Sequence, residues 1–402
     1  MKIFLAASVV FANLVNLFSQ LLLPRIFSPG DYSYVTTYIG FSQVLSMVFF
    51  EWLRHYVIRF CFSDEKYKKS RIVVFYFYTT FATSLIIFSF LFCIFDKVHF
   101  GAIIFFAVTQ GISDGVLAKF RATLENKKFV ISSILRSIFY MMVLVACEKM
   151  NISGPDNFLY ILGLANLAPI LIFIGCNFSV KKINLMEIFF LRKEILLIIK
   201  FGLPIVFSSA IVNSIIPISK NVVLNNGNPE EFATAFFLLD VVSKFFIVVC
   251  VIYNTIYQQN YINYFERTKS FFAIKSFFKN LLMIIGFIFI VMYFWGGKVI
   301  IKILPEMYIN KKFYLHYNLA LIFAIIFCVK TFIMDGFFIF LGNSGKSLFS
   351  SGISLLSIVF VYFFVIFLKM GATGFYFGLI LGWLVAIFAS IFIIRFYVAN
   401  KA

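Results

Sequence analysis

Acidic residues are scarce in this 402-residue chain, 17 against 35 Lys and Arg, and charged residues of both signs make up only 13% of it. No segment is polar enough to fold as a water-soluble domain. The net charge of +18 therefore has no soluble face on which to gather, which argues against a nucleic-acid partner. Six cysteines (Cys61, Cys93, Cys147, Cys176, Cys250, Cys328) stand singly without C-x-x-C spacing. The three histidines, His55, His99 and His316, lie far apart near the ends of apolar runs, where an interfacial or solvated role is expected. Neither a disulfide framework nor a metal centre is indicated. No Ser-His-Asp set, carboxylate pair or Gly-rich nucleotide loop occurs on a connection, so neither an enzyme nor a cofactor is expected. "GNSGKS" at 342–347 ends like a P-loop, but Phe340 stands where that motif needs its first glycine, and no strand precedes it.

What is abundant is apolar: 62% hydrophobic residues, with 59 phenylalanines. Runs of roughly 20 apolar residues, enough to cross about 30 Å of hydrocarbon as a helix, recur from end to end. Barrel strands would instead alternate over about 10 residues. The expected fold is an all-α integral membrane protein with about twelve helices at 3–23, 33–53, 72–95, 99–118, 129–147, 157–178, 195–219, 232–253, 278–296, 314–336, 348–368 and 373–394. The first run is too long, and lacks the small-residue site, for a cleaved signal peptide, so it reads as an uncleaved span.

Lys and Arg alternate between sides. Arg54, Arg59, Lys66, Lys68, Lys69 and Arg71 follow the second window; Lys119, Arg121, Lys127 and Lys128 the fourth; Lys181, Lys182, Arg192 and Lys193 the sixth; Arg267, Lys269, Lys275 and Lys279 the eighth. The positive-inside rule puts those loops, and both termini, in the cytoplasm. The exception is the ninth-to-tenth connection, on the opposite side, with Lys298, Lys302, Lys311 and Lys312.

The chain also echoes itself at an offset of 200 residues. Pro29 matches Pro229, Ser8 matches Ser208, Asn13 matches Asn213, Ser19 matches Ser219, Asp31 matches Glu231 and Tyr32 matches Phe232. Asp114-Gly115 in the fourth window is mirrored by Asp335-Gly336 in the tenth. Six spans return the chain to its starting side, so the expected repeat is parallel: an N-lobe at 1–180 and a C-lobe at 181–402, with a central cavity between them, a transporter architecture.

Polar groups inside a bilayer should face protein or water. Asn13, Asn16 and Gln20 fall on one stripe of the first helix, and Ser209, Asn213 and Lys220 on one of the seventh. Thr36, Gly40, Gln43, Met47 and Arg54 run along the second helix, and Asp240, Lys244, Val251, Asn254 and Gln258 along the eighth. Four stripes in matching positions point to a shared wet cavity, although Asn and Ser also join helices by hydrogen bonds, and Asp240 and Lys244 at i,i+4 could neutralise each other. Lys244 lies about 18 Å into its helix at 1.5 Å per residue. Arg25 and Arg54, at span ends, either line the pathway or snorkel to headgroups. Arg136 and Lys330 either flank the cavity or pack inside a lobe. Against these six cations stand the in-span acids Glu51, Asp114, Asp240 and Asp335. The positive excess suits an anionic substrate.

"LPRIFSPGDYSYVTTYIGFSQVLSMVFFEWLRHYVIRF", Leu23 to Phe60, resembles the first loop and second helix of the Wzx-type O-antigen flippases, the polysaccharide-transport family of the MOP superfamily. "FGLPIVFSSAIVNSIIPISKNVVLNNGNPEEFATAFF", Phe201 to Phe237, is similar to the family's entry to its seventh and eighth helices. Members often carry an acidic-basic pair where this chain has Ser219-Lys220, so the acid is missing there. The resemblance implies a twelve-helix, two-lobe flippase of the bacterial cell inner membrane, serving lipopolysaccharide O-antigen or other polysaccharide biosynthesis. Its partners would be a lipid-linked oligosaccharide (undecaprenyl-diphosphate-linked), membrane lipids, a polysaccharide polymerase and a chain-length regulator. Arg54, Lys220 and Lys244 would then meet the diphosphate or acidic sugars, with Arg25, Arg136 and Lys330 near them. Asn13, Asn16, Gln20, Gln43 and Asn213 would hydrate the glycan, and Asp240 would couple a proton whose arrival frees Lys244. With no nucleotide site, energy must come from an ion gradient, the substrate's own gradient or a partner. Two rivals stay open: a MATE-like multidrug/ion antiporter, expected to have an acid-dominated cavity, and a membrane-embedded O-antigen polymerase or glycosyltransferase, expected to have a large outer loop or catalytic acids.

Overall fold

In hydrocarbon no water is available to satisfy an amide, so an apolar chain must close its hydrogen bonds along each segment. The computed structural model describes residues 2–56, 68–95, 97–123, 125–150, 154–168, 192–268, 271–340 and 344–399, and among them it is helical with no strand. The helices are α1 (Lys2–Ile26), α2 (29–56), α3 (Lys68–Ile94), α4 (Val98–Ala122), α5 (Asn126–Lys149), α6 (Pro155–Asn166), α7 (Arg192–Asn226), α8 (Pro229–Thr268), α9 (271–303), α10 (313–340), α11 (344–367) and α12 (Gly371–Ala399). Each of the twelve apolar windows falls on one of them, the sixth continuing beyond the described residues. Eight stretches, from Val98–Phe120 to Gly371–Phe396, are long and apolar enough to cross a membrane, and Val10–Ile26 and Tyr76–Phe92 are shorter apolar helices. The chain is a multi-pass, all-helical membrane protein. Its α7 and α8 outrun their windows because bilayer thickness sets a minimum helix length and no maximum.

Several helices pass through wide π turns: Met47–Glu51 in α2, Met292–Gly296 in α9, Val329–Met334 in α10 and Phe363–Phe367 in α11. Each shifts the faces beyond it relative to a straight α-helix.

The 200-residue echo is a structural one. Helix α1 ends at Ile26 and α7 at Asn226; α2 starts at Pro29 and α8 at Pro229. Both prolines sit at the first helical position, where the missing N–H was unpaired anyway. Ser28 Oγ accepts the Asp31 amide at 3.2 Å, and Asn228 Oδ1 accepts the Glu230 amide at 3.1 Å, so each start is capped by a side chain. Pro24, by contrast, costs a helix hydrogen bond. It lies inside α1, where its ring leaves the Gln20 carbonyl without the usual i+4 donor.

Packing groups the chain into two compact units, one of residues 1–37 with 215–402, the other of 38–214. The six-plus-six halves are a matter of repeat, and these units are a matter of contact. In the 38–214 unit, Phe50 packs with Ala82 and Val108, and a Cβ at Gly115 would come within 2.7 Å of the Tyr78 ring. Gly336, the echo of Gly115, meets Phe278 in the other unit, where a Cβ would stand 3.2 Å from the ring. In both cases an Asp-Gly pair receives an aromatic ring from the helix before it.

In the 1–37/215–402 unit, α12 carries Gly374, Gly378 and Gly382 four residues apart. A Cβ at Gly378 would lie 2.4 Å from the Val361 amide nitrogen, and one at Gly382 would lie 2.3 Å from the Ser357 Cα. Without a hydrophobic force between helices in lipid, such close backbone approach is a main source of association. Buried Ser350 and Ser390 seal the seam, their hydroxyls 2.5 Å apart.

Candidate functional site

Lys220 projects from α7, buried to 2%, and its ammonium meets both oxygens of Asp240 on α8 at 2.7 and 2.8 Å. It also donates to Thr36 Oγ1 of α2 at 3.2 Å and stands 5.0 Å from the Phe236 ring centroid. Desolvating an ammonium is expensive, and a carboxylate, a hydroxyl and a ring face together offset it. The acid that the flippase resemblance places at position 219 is thus supplied here from α8. Asp240 is spoken for by Lys220, not by Lys244 as an i,i+4 pairing would have it. Lys244 is partly buried, within electrostatic range of both Asp240 and Lys220, and forms no ion pair among the described residues. Orphaned polar atoms occur on α1 and on these helices: Gln20 Oε1 on α1, Tyr32 OH on α2, Ser219 Oγ on α7, and Ser243 Oγ and Asn254 Oδ1 on α8 are buried without a hydrogen-bond partner among the described residues.

The helix ends at the α1–α2 and α7–α8 turns are tied together. Ser33 Oγ of α2 donates to the Pro229 carbonyl at the start of α8, at 2.9 Å. Tyr308, in the 3-10 turn Glu306–Tyr308, donates to the Phe27 carbonyl at 2.9 Å, and burial pushes its hydroxyl well above the usual phenol range.

Lys330, wholly buried, pairs with Asp335 at 2.7 Å on its own helix, α10. Residues five apart lie about 140° apart on a straight α-helix, too far round to meet. The π turn Val329–Met334 between them closes that angle.

In the 38–214 unit, Asp114 of α4 holds Arg136 Nη1 of α5 at 2.6 Å, and Arg136 Nε donates to Asn166 Oδ1 of α6 at 3.1 Å. Arg54 pairs with Glu51 and reaches Asp114 at 3.8 Å. Two arginines thus face two acids, tying four helices. The sequence stripe that carried Thr36 through to Arg54 crosses the π turn at Met47–Glu51, which changes the face on which Arg54 emerges.

Of the six cations, four are matched by carboxylates, leaving Arg25, exposed at the end of α1, and Lys244. Gln43 is partly buried on α2, and Asn213 Nδ2 donates back to the Ser209 carbonyl at 2.7 Å. Asn13 and Asn16 lie on α1, with side chains outside the described residues. Two histidines also differ from a solvated expectation in instructive ways. His99 is exposed but pairs with Asp156 at 2.7 Å, whereas His316 is only 3% exposed and neither ring nitrogen is bonded among the described residues. Its place in the first turn of α10 made it look interfacial, yet Tyr376 of α12 packs 6.1 Å away and closes it off. The side chain of His55 is outside the described residues.

No family model and no curated protein matches the sequence. Solved structures do match over almost the whole chain. The lipid II flippase MurJ in an inward closed conformation aligns with a TM-score of 0.69 at 13% identity, covering 98% of this chain and 87% of that one. A MOP superfamily transporter from Pyrococcus furiosus, described by the reverse polarity of its binding pocket, aligns at 0.60 and 14%, covering 99% and 95%. An outward-facing multidrug resistance MATE family transporter aligns at 0.58 and 14%, covering 99% and 95%. The chain shares the fold of the flippase MurJ and of these MATE and MOP transporters.

Proposed function

We propose that this protein is a flippase for an undecaprenyl-diphosphate-linked oligosaccharide of the O-antigen repeat-unit kind. It would work by alternating access in the bacterial inner membrane, with both termini cytoplasmic and residues 1–180 and 181–402 as its lobes. The observation that carries this reading is Lys244: a cation a dozen residues into a span, beside the Lys220–Asp240 pair and without a carboxylate of its own. A charge kept at that depth calls for a partner, and a diphosphate supplies one. That one neighbour of this fold is a lipid II flippase supports a lipid-linked substrate. The orphaned Gln20, Asn254, Ser219 and Ser243 atoms offer hydrogen bonds to a glycan. Asp240 is the proton-coupling candidate, and its neutralisation would release Lys220, the ammonium it holds.

Lys244→Ala should abolish surface polysaccharide in a complementation assay at unchanged protein level, and Lys244→Arg should keep much of it. Wild-type polysaccharide from the alanine variant would refute the reading. In a deletion strain, lipid-linked repeat units should accumulate on the cytoplasmic face; increased drug susceptibility with normal polysaccharide would favour a multidrug antiporter.

A further inference from the structure

The four lysines at the end of α9 and in the loop before α10 stand on the side that the positive-inside rule leaves poor in cations. Lys298, Lys302, Lys311 and Lys312 are all exposed, none forms an ion pair among the described residues, and Glu306 is the one acid between them. The fold gathers them. Tyr317 of α10 donates to the carbonyl of Met292, at the start of the π turn Met292–Gly296, at 2.5 Å. Gly297 has no Cβ to hold the rings of Tyr317 and Tyr314 away, at 3.3 and 3.5 Å from where that atom would be. With α9 and α10 drawn together, Lys298 and Lys302, one helical turn apart, join Lys311 and Lys312.

The surroundings select the occupant. Tyr293, Phe294 and Trp295 are 54, 59 and 62% exposed, and Tyr314 is 57% exposed. Val299, Met307 and Leu315 are exposed beside the lysines. Aromatic side chains with one apolar and one polar end settle at headgroup depth, and lysines placed there attract anionic lipid. A soluble acidic partner would have no use for the apolar collar.

We propose that this connection is a docking site for anionic phospholipid headgroups of the extracytoplasmic leaflet; the leaflet, though not the site, rests on the orientation given above. Purified full-length protein titrated with phosphatidylglycerol, and separately with phosphatidylcholine, should bind the anionic lipid preferentially by native mass spectrometry. The combined variant K298Q, K302Q, K311Q and K312Q should lose that preference, by roughly fivefold for each lysine removed. The matching four-arginine variant should retain it, which separates lost charge from lost fold. An unchanged preference in the glutamine variant would overturn the proposal, as would tighter binding of a lipid-free acidic oligosaccharide that displaces phosphatidylglycerol. For the leaflet, Asn310→Cys should react with an impermeant maleimide added outside intact spheroplasts. Protection there, with the lipid preference intact, would overturn the orientation and leave the headgroup site standing.

Discussion

The Lys330–Asp335 pair gives the sharpest test of how the π turns work. The ammonium is fully buried, the carboxylate side chain is 9% exposed, and the two contacts are 2.7 and 2.8 Å. Removing one partner leaves an uncompensated buried charge at a cost of about 3–5 kcal/mol, whereas apolar residues at both positions come out within about 1 kcal/mol of the parent. Lys330→Met and Asp335→Leu should therefore each destabilise strongly, and the double variant should recover most of the loss. The coupling energy of the cycle should therefore be about 5 kcal/mol or more. Unfolding titrations in mixed micelles measure it, with surface polysaccharide as a separate readout. Additive single effects, or a loss below about 1 kcal/mol for either single variant, would show that the pair is solvated or that the wide turn does not bring the residues together.

Two further outcomes follow from the geometry. Gly378→Ala and Gly382→Ala put a methyl within 2.5 Å of α11 backbone that no rotamer change can clear, so each should lower thermal stability in detergent by at least the roughly 1–3 kcal/mol of overpacking, and Gly286→Ala, which meets nothing, should not. Lys220→Asp or Asp240→Lys alone should eliminate folded protein or transport, while the exchanged pair should restore folding in fluorescence size-exclusion profiles; an exchanged pair no better than either single variant would mean that Thr36 and Phe236 demand the ammonium in its present place.

Much of the fold was legible because bilayer thickness and backbone hydrogen bonding leave a chain this apolar few alternatives. Each of the twelve windows falls on a described helix, and the repeat located the α1–α2 and α7–α8 turns to the residue. The site was legible as an inventory and not as a set of pairs. Asp240 finds Lys220 across a helix interface, which local spacing cannot report, and the nearer Lys244 was the obvious but unused partner. Lys330 and Asp335 were invisible as a pair because a straight helix separates them. Asn166 was missed altogether, since a lone asparagine in an apolar run names no partner until Arg136 arrives from α5. The Gly374, Gly378, Gly382 spacing, by contrast, was present in the sequence as a G-x-x-x-G series and is the signal that could have joined α11 to α12.

The three ties near the α1–α2 turn, Tyr308 to Phe27, Ser33 to Pro229, and Lys220 with Asp240 to Thr36, have a mechanical consequence. They lie in series from that turn inward, and each joins an element of the first forty residues to one beyond residue 215. Any motion that parts the first forty residues from the region beyond residue 215 at that end has to release them like the teeth of a fastener. Two are neutral hydrogen bonds worth about 0.5–1.5 kcal/mol each, and the third, to a charged donor, about 1.5–3 kcal/mol. The sum is a few kcal/mol: enough to keep the end shut at rest, and small enough for the binding energy of one ligand to open it.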